Sequence, residues 1–165
     1  MARKVIHEDG PDVTMEAIAS ASGTSKSVMY RYFTDKDELK AAIGAAILSR
    51  LDRKLAGAVT HTDDFETTIG NVVRIYVEEA ASSLNVYRFV TRPSVGLSEF
   101  LIDTAALLGA QLPESVDPIS RTAWGRGAVG FVRDSFQWWV EDSQSMTTAD
   151  LTTHITRSLV SGAPQ

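Results

Sequence analysis

The chain has 165 residues, of which 44% are hydrophobic and 22% are charged, and it contains no cysteine. This length suits one good core, or a small domain fused to a modest second one. The lack of cysteine excludes disulfides, thiolate catalysis and cysteine-ligated zinc, and it fits the reducing cytoplasm in which we expect the protein. No apolar run approaches the ~18 residues of a membrane span, and the start lacks the apolar stretch of a secretory signal.

The net charge of -5 is distributed unevenly along the chain. Residues 1–56 contain nine Lys or Arg against eight Asp or Glu, which leaves seven against thirteen for the remainder. A nearly neutral head on an acidic body argues against a protein coated in nucleic acid. It is compatible with one that presents a single end to DNA.

The pattern of apolar residues predicts an all-α protein, because these residues recur at helical spacing and no stretch alternates with period two. In chain order, the tail of a first helix is expected to stop near the Gly-Pro breaker at 9–11. Thr14 is expected to cap a second helix, and residues 22–25 form a short turn. A third helix covers Lys26 to Phe33. A longer fourth helix begins at Thr34 with Asp37 as its capping-box partner.

Further helices are predicted after a break at residues 57–62. One extends to about Leu84, a short one covers 86–91, and a mostly apolar one runs from 97 to 112. After Pro118 a long helix reaches about residue 141, and a last helix begins near Thr147. The apolar stripe assigned to the long helix is Trp124, Ala128, Phe131, Ser135 and Trp138. We expect two domains, residues 1–56 and residues 57–165.

The segment from Thr14 to Phe33 has the layout of a helix-turn-helix. Two helices of about two turns each flank Gly23, which can adopt the left-handed conformation where the first must end. Ile18, Val28 and Met29 are expected to face inward and hold the pair together. The second helix is polar on its outer side, and its N-terminal dipole favours phosphates and base-edge acceptors.

This segment closely resembles the DNA-binding signature of the TetR (tetracycline-repressor-like) family. The matching pattern is Thr-x-x-x-Ile-Ala-x-x-Ser-Gly-x-Ser-x-x-x-x-Tyr-x-Tyr-Phe, followed by Thr34-Asp35-Lys36-Asp37-Glu38-Leu39. The resemblance covers about Val13 to Leu39, and beyond it only the helical layout is similar. It implies a DNA-binding head followed by a helical ligand-binding and dimerisation bundle.

The resemblance also implies roles for individual residues. Thr14 and Lys36 resemble phosphate contacts, Phe33 resembles the core anchor that ends the reading helix, and Tyr30 resembles a tyrosine that touches DNA. Together with the polar outer residues, the predicted DNA-binding set is Thr14, Thr24, Ser25, Lys26, Ser27, Tyr30, Arg31, Tyr32 and Lys36.

The sequence departs from the family pattern at its start. In the family a first helix of about four turns normally precedes the glycine break. In this sequence only residues Met1 to Glu8 precede it. Either the start is trimmed or misassigned, or the protein binds DNA weakly. The alternative function is therefore a small-molecule-binding dimeric module with weak or lost DNA binding.

The second domain is expected to bind a small molecule in an apolar cavity. Few polar groups on its middle helices can orient a ligand, which favours a hydrophobic inducer and no cofactor. Arg88 and Arg92 can face an acidic ligand but are more typical of a solvated face. The candidate lining residues are Val73, Tyr76, Phe89, Phe100, Leu101, Leu108, Phe131 and Trp139, although a stripe at helical spacing is more often simply part of the core.

The last two helices are expected to form a homodimer. Gly127 and Gly130, with Ala123 and Ala128, thin one side of the long helix, which suits either a partner subunit or close packing within the chain. A two-fold dimer would place two reading heads about 34–36 Å apart on a palindromic operator.

An enzyme is disfavoured. His7, His61 and His154 have no metal-ligand spacing, and the adjacent carboxylates at 78–79 and 141–142 point in different directions on a helix. The sequence thus predicts a ligand-responsive transcriptional regulator, most simply a repressor that a hydrophobic inducer releases from DNA. The operator, the inducer and the direction of regulation are not encoded in any motif.

Overall fold

The computed structural model describes residues 2–59, 64–142 and 146–164, and within these ranges every regular element is a helix. The all-α prediction is confirmed. In chain order the helices are α1 Ala2–Asp9, α2 Met15–Ala21, α3 Lys26–Tyr32, α4 Lys36–Val59, α5 Phe65–Ala81, α6 Leu84–Val90, α7 Val95–Gly109, α8 Pro118–Glu141 and α9 Thr148–Ser161. Residues 57–59 of the predicted break at 57–62 belong to α4, so the prediction was wrong for these three residues, and residues 60–62, with His61 among them, lie outside the described residues.

Two compact units divide the chain. The first contains the residues up to Arg50 together with Ala80–Ser98, and the second contains Leu51–Glu79 and the residues from Glu99 onward. This division differs from the predicted boundary after residue 56. The reason is that α6, which follows in the second half of the chain, packs against α1 and therefore belongs to the first unit.

The core of the first unit takes one to three buried apolar side chains from each of α1, α2, α3, α4 and α6. Ile6 of α1 is fully buried, and Ile18 of α2 and Met29 of α3 pack in the same cluster as Phe89 of α6. Val28, which was expected to face inward, is only half-buried. The helix pair is thus held by Ile18 and Met29.

Polar contacts join α1 to the start of α6 within this unit. Nδ1 of His7 lies 2.8 Å from Oγ of Ser83, and the amide of Asn85 donates to the carbonyl oxygen of His7 at 3.0 Å. The Ser83 hydroxyl also accepts from the backbone N–H of Val86 and caps α6. One serine therefore serves both a helix cap and an interhelical contact.

In the second unit α8 packs against α9, and α8 also contacts α5 through the rings of Phe136 and Tyr76. Its most buried side chains include Phe136, Ile69 and Ile155. The buried face of α8 is Gly125, Ala128, Val132, Phe136 and Trp139. The predicted stripe was therefore wrong by about one residue, since Phe131 and Trp138 are 39% and 47% exposed. Gly125 begins this face, and its lack of a side chain allows close approach to α7.

Candidate functional site: a helix-turn-helix and an apolar cavity

The α2–turn–α3 segment is a helix-turn-helix with both helices capped by side chains. The Thr14 hydroxyl accepts from the N–H of Ala17 at 3.1 Å, as predicted, and the Ser25 hydroxyl accepts from the N–H of Val28 at 3.4 Å. Gly23 has φ +67, in the left-handed region that glycine adopts at little cost. These caps fix where α3 begins and hence which side chains stand at its N-terminus.

The outer face of α3 is open to solvent. Tyr30 and Tyr32 are 47% and 70% exposed, which are high values for aromatic side chains. Met29, on the inner side of the same helix, is buried. Of the predicted DNA-binding set, Thr24 and Lys36 are half-buried, and the exposed members are Thr14, Ser25, Lys26, Ser27, Tyr30, Arg31 and Tyr32. The structure thus brings the predicted α3 residues onto one accessible helix.

An ion pair that the sequence did not suggest lies at the start of α3. The ammonium of Lys26 contacts the carboxylate of Glu16 on α2, and it also stands 5.8 Å from the ring centre of Tyr30. The hydrogen bond from Lys26 is the largest cause that lowers the pKa of Glu16, and the same contact raises the pKa of Lys26. One carboxylate therefore sits among the cations and hydroxyls of the predicted DNA surface.

Helix α4, which follows the helix-turn-helix, begins differently from the prediction. Asp35, and not Thr34, caps α4 by accepting from the N–H groups of Asp37 and Glu38 at 2.9 and 2.8 Å. The carboxylate of Glu38 reaches back to the N–H of Thr34 at 2.6 Å. The predicted capping box of Thr34 with Asp37 was therefore wrong, because Asp35 is the cap and Glu38 is the carboxylate that reaches back.

A group of cations surrounds Asp12, on the turn before α2. Arg92 donates to Asp12 at 2.9 Å, and this contact is the largest cause that lowers the pKa of Asp12. Lys36 and Lys40 act on the same carboxylate. Burial, the largest cause, and the nearby Lys36 and Arg92 lower the pKa of Lys40. Arg92 is thus engaged within the first unit, whereas Arg88 is exposed.

An apolar cavity lies in the second unit. It encloses about 380 Å³ of empty space, including solvent at its mouth, and five of the eight predicted lining residues line it. The full lining is Leu55, Val72, Val73, Tyr76, Phe100, Leu101, Thr104, Leu108, Val129, Val132 and Arg133.

The other three predicted residues lie elsewhere. Phe89 is buried in the core of the first unit, and Phe131 does not line this cavity and is partly exposed. Trp139 packs against Phe136 with ring centres 5.5 Å apart and donates its indole N–H to the carbonyl oxygen of Met146 at 2.8 Å. Aromatic character alone did not separate core from cavity.

Two polar residues that line the cavity, Thr104 and Arg133, were not predicted from the sequence. Thr104 is 7% exposed, and its hydroxyl has no hydrogen-bond partner within the described part of the chain. Thr104 lies four residues after Phe100 and four before Leu108, so helical spacing from the predicted lining residues could have indicated it.

The outer face of α8 carries both open glycines and large apolar side chains. A Cβ at Gly127 or Gly130 would meet nothing within 4 Å, so packing inside the described chain does not require these glycines. Trp138 and Ile119 are exposed on the same helix, Ile119 to 81%. Ala128 does not belong to this face, because it is 2% exposed.

Comparison with known proteins identifies the amino-terminal part. Residues 1–43 match the family of bacterial regulatory proteins described as the tetR family. An uncharacterized HTH-type transcriptional regulator of Mycobacterium tuberculosis is 28% identical over 165 residues, covering 93% of this chain and 70% of its own. The amino-terminal part of the chain is therefore similar to bacterial regulatory proteins of the tetR family, and the relatives that match most of the chain are named transcriptional regulators.

Solved structures share the fold of this chain. The fatty acid degradation regulator FadR from Bacillus halodurans has a TM-score of 0.76 at 18% identity, over 96% of this chain and 90% of its own. FadR from Bacillus subtilis, in complex with stearoyl-CoA, has a TM-score of 0.73 at 17% identity, over 96% and 94%. LfrR from Mycobacterium smegmatis, in complex with proflavine, has a TM-score of 0.66 at 18% identity, over 99% and 97%.

The described residues include no group of three or more His, Asp or Glu side chains placed to hold a metal ion. None of the described helices is both long and apolar enough to cross a bilayer.

Proposed function

We propose that this chain is a TetR-type, ligand-responsive repressor that a small hydrophobic inducer releases from a palindromic operator. The observation that carries the proposal is an exposed helix-turn-helix in a chain that also contains an apolar cavity in its other unit. Concave sites with mostly apolar walls are where small molecules typically bind. Neighbours of the same fold that bind stearoyl-CoA or proflavine support a ligand with a large apolar part.

The proposed DNA contacts divide into two classes. Lys26, Arg31 and Lys36 supply charge to phosphates, while Ser25, Ser27 and Tyr30 stand where base edges are reached. In this proposal residues 1–56 carry the DNA-binding function and residues 57–165 carry ligand binding and dimerisation.

We further propose that the outer face of α8, together with α9, forms the homodimer. The open sides of Gly127 and Gly130 support this assignment, because each glycine in a helix interior costs about 1 kcal/mol relative to alanine and no intrachain contact explains it. Exposed Trp138 is the kind of side chain that anchors protein interfaces.

The DNA-binding part is tested by a gel shift with the region upstream of the protein's own gene. Lys36→Ala should weaken binding to all sequences and lower the salt slope by about 0.9, the value for one phosphate. Ser27→Ala should instead change sequence preference. If the protein with about ten upstream codons added shows no salt-sensitive binding, the repressor is rejected. The ligand-binding dimeric module is then the better description.

A further inference from the structure

We infer that Arg92 belongs to the DNA-binding surface, where it forms a site for a backbone phosphate together with Lys36 and Lys40. This inference rests on the proposed DNA binding and adds to it a residue from the second half of the chain. Three features carry it: the position of the cations, the unused donors of Arg92 and the balance of charge around them.

The three cations come together from distant parts of the sequence. Arg92 lies in the turn between α6 and α7, which belongs to the same unit as the helix-turn-helix. Its guanidinium donates at 2.9 Å to Asp12, which stands two residues before Thr14. Lys36 and Lys40, one turn apart at the start of α4, act on the same carboxylate. Arg92 is therefore placed beside the helix starts that are proposed to contact phosphates.

Arg92 keeps hydrogen-bond donors that the described chain does not use. A guanidinium carries five N–H groups, and Asp12 accepts only from Nη2. The side chains of Arg92 and Asp12 are 44% and 78% exposed, so the pair lies where a phosphate can reach it. The planar donors of arginine match the geometry of phosphate oxygens.

The carboxylates near the cations do not neutralise them. Asp12 and Asp37 act on Lys40 against Lys36 and Arg92, and the pKa of Lys40 is still lowered, first by burial and then by these two cations. Within the described residues neither lysine makes a salt bridge. Three cations against two carboxylates leave an excess of positive charge, which a phosphate would offset.

The contribution of Arg92 is measured with the full-length protein and a labelled duplex of arbitrary sequence, by fluorescence anisotropy over a salt series. Arg92→Gln should weaken binding by about tenfold at low salt, as expected for the loss of one charge-assisted hydrogen bond. The slope of log K against log salt should become less negative by about 0.9. Arg88→Gln is the matched control, because Arg88 is an exposed arginine of α6, and it should change both quantities much less.

Asp12→Asn separates a phosphate site from a structural tie between the turn and α6. At a phosphate site this variant removes a repulsive charge and leaves Arg92 in place, so binding should tighten by about threefold. A purely structural tie would be broken by Asp12→Asn and by Arg92→Gln alike, and both variants would then weaken binding. Asp9→Asn, at the exposed end of α1, is the control for the loss of a carboxylate.

Melting temperatures provide a readout without DNA. An exposed ion pair contributes little to stability, so Arg92→Gln and Asp12→Asn should each shift the melting temperature by less than about 2 °C. A larger fall in both variants, with weaker DNA binding by both, would show a structural tie and overturn the inference.

Proximity to DNA can be measured directly because the chain contains no cysteine. In Arg92→Cys, alkylation of the single thiol by the neutral reagent iodoacetamide should slow by about fivefold at saturating duplex. In Arg88→Cys the rate should change little.

The outcomes separate this inference from the proposed function. If the parent binds DNA in a salt-sensitive way but Arg92→Gln behaves like Arg88→Gln, or if DNA leaves Arg92→Cys unprotected, the phosphate site is overturned while DNA binding stands. If the parent binds no duplex, the inference is overturned together with the DNA-binding function.

Discussion

At the scale of single residues, Glu16 is the side chain that most affects how the reading helix presents its charge. It contacts Lys26, which starts α3, and both side chains are more than half exposed. A carboxylate at this place repels phosphates, and it also pairs with the ammonium that would otherwise bind a phosphate. In the free protein the charge of Lys26 is therefore partly neutralised.

Glu16→Gln is expected to tighten binding to a duplex of arbitrary sequence and to steepen its salt dependence. Releasing Lys26 adds one phosphate contact, so the slope of log K against log salt should become more negative by about 0.9. Fluorescence anisotropy over a salt series measures both quantities. The matched control is Glu8→Gln, which removes the partner of Lys4, an exposed ion pair at 3.8 Å on α1.

The double variant with Lys26→Met distinguishes release of Lys26 from a general charge effect. In that background Glu16→Gln should leave the slope unchanged, because no ammonium remains to be released. An identical change in slope with and without Lys26 would contradict this explanation. Weaker binding by Glu16→Gln alone would instead show that Glu16 holds Lys26 in its DNA-binding position.

The effect of pH on this pair follows from the lowered pKa of Glu16. A carboxylate whose pKa is lowered on folding stabilises the protein above its ordinary value, 4.5, and loses that contribution as pH falls through the lowered one. The ion pair is therefore expected to persist throughout the neutral range. DNA binding between pH 6 and 8 should not change through Glu16.

The cap of α2, the turn after it and the core residues Ile18 and Met29 were predictable from the sequence. The cap of α4, the position of Val28 and the charge contacts between helices were not. Thr14, Gly23 and the turn between α2 and α3 act over three or four residues, so local rules suffice. The pairs Glu16–Lys26 and Asp12–Arg92 join residues 10 and 80 positions apart. Their contacts depend on how helices pack, which no local pattern encodes.

At the scale of elements, α8 shows how a one-residue error in a helical stripe arises. Its sequence places aromatic side chains on two adjacent faces, with Phe131 and Trp138 on one and Phe136 and Trp139 on the other. Apolar spacing cannot choose between them. The choice is made by Gly125, because a Cβ there would collide with the carbonyl oxygen of Ala105 on α7 and come within 3.2 Å of the backbone nitrogen of Gly109.

Gly125→Ala is therefore expected to destabilise the protein by about 1–3 kcal/mol, the range for overpacking a core, because backbone atoms cannot move aside as a side-chain end can. Urea unfolding followed by circular dichroism measures the change. Gly57→Ala in α4 is the matched control, since a Cβ there meets nothing within 4 Å. It should be neutral or stabilise by up to about 1 kcal/mol. Equal effects of the two variants would contradict the proposed close approach.

The start of α6 gives a second prediction at this scale. Ser83→Ala removes a cap and the contact with His7 together, so it should cost about 1–2 kcal/mol. Ser94→Ala is the control, because Ser94 caps α7 at 3.1 Å and contacts no histidine. Thermal unfolding of both variants measures the difference. A smaller loss for Ser83→Ala than for Ser94→Ala would show that the His7 contact adds nothing.

At the scale of the whole molecule, the sequence predicted two units but not their composition. The pattern of helices and breaks suggested a single cut after residue 56. Residues 80–98 instead belong to the amino-terminal unit, so the chain enters that unit twice. Val86 and Phe89 look like any other apolar helical residues, and only their burial with α1 and α4 residues reveals the assignment.

The proposed dimer leads to a prediction for the intact protein. Trp138 is 47% exposed, so Trp138→Glu leaves the described core intact while placing a charge on the proposed interface. Light scattering coupled to size-exclusion chromatography should then give the mass of one chain, near 17.9 kDa, in place of two. Because a palindromic operator is bound by two DNA-binding units, this monomer should lose far more affinity for the operator than for non-specific DNA.

Ile102→Glu is the control, because it changes a similarly exposed apolar residue on α7, and this variant should remain dimeric. A dimeric Trp138→Glu, or a monomeric Ile102→Glu, would place the interface elsewhere than on α8.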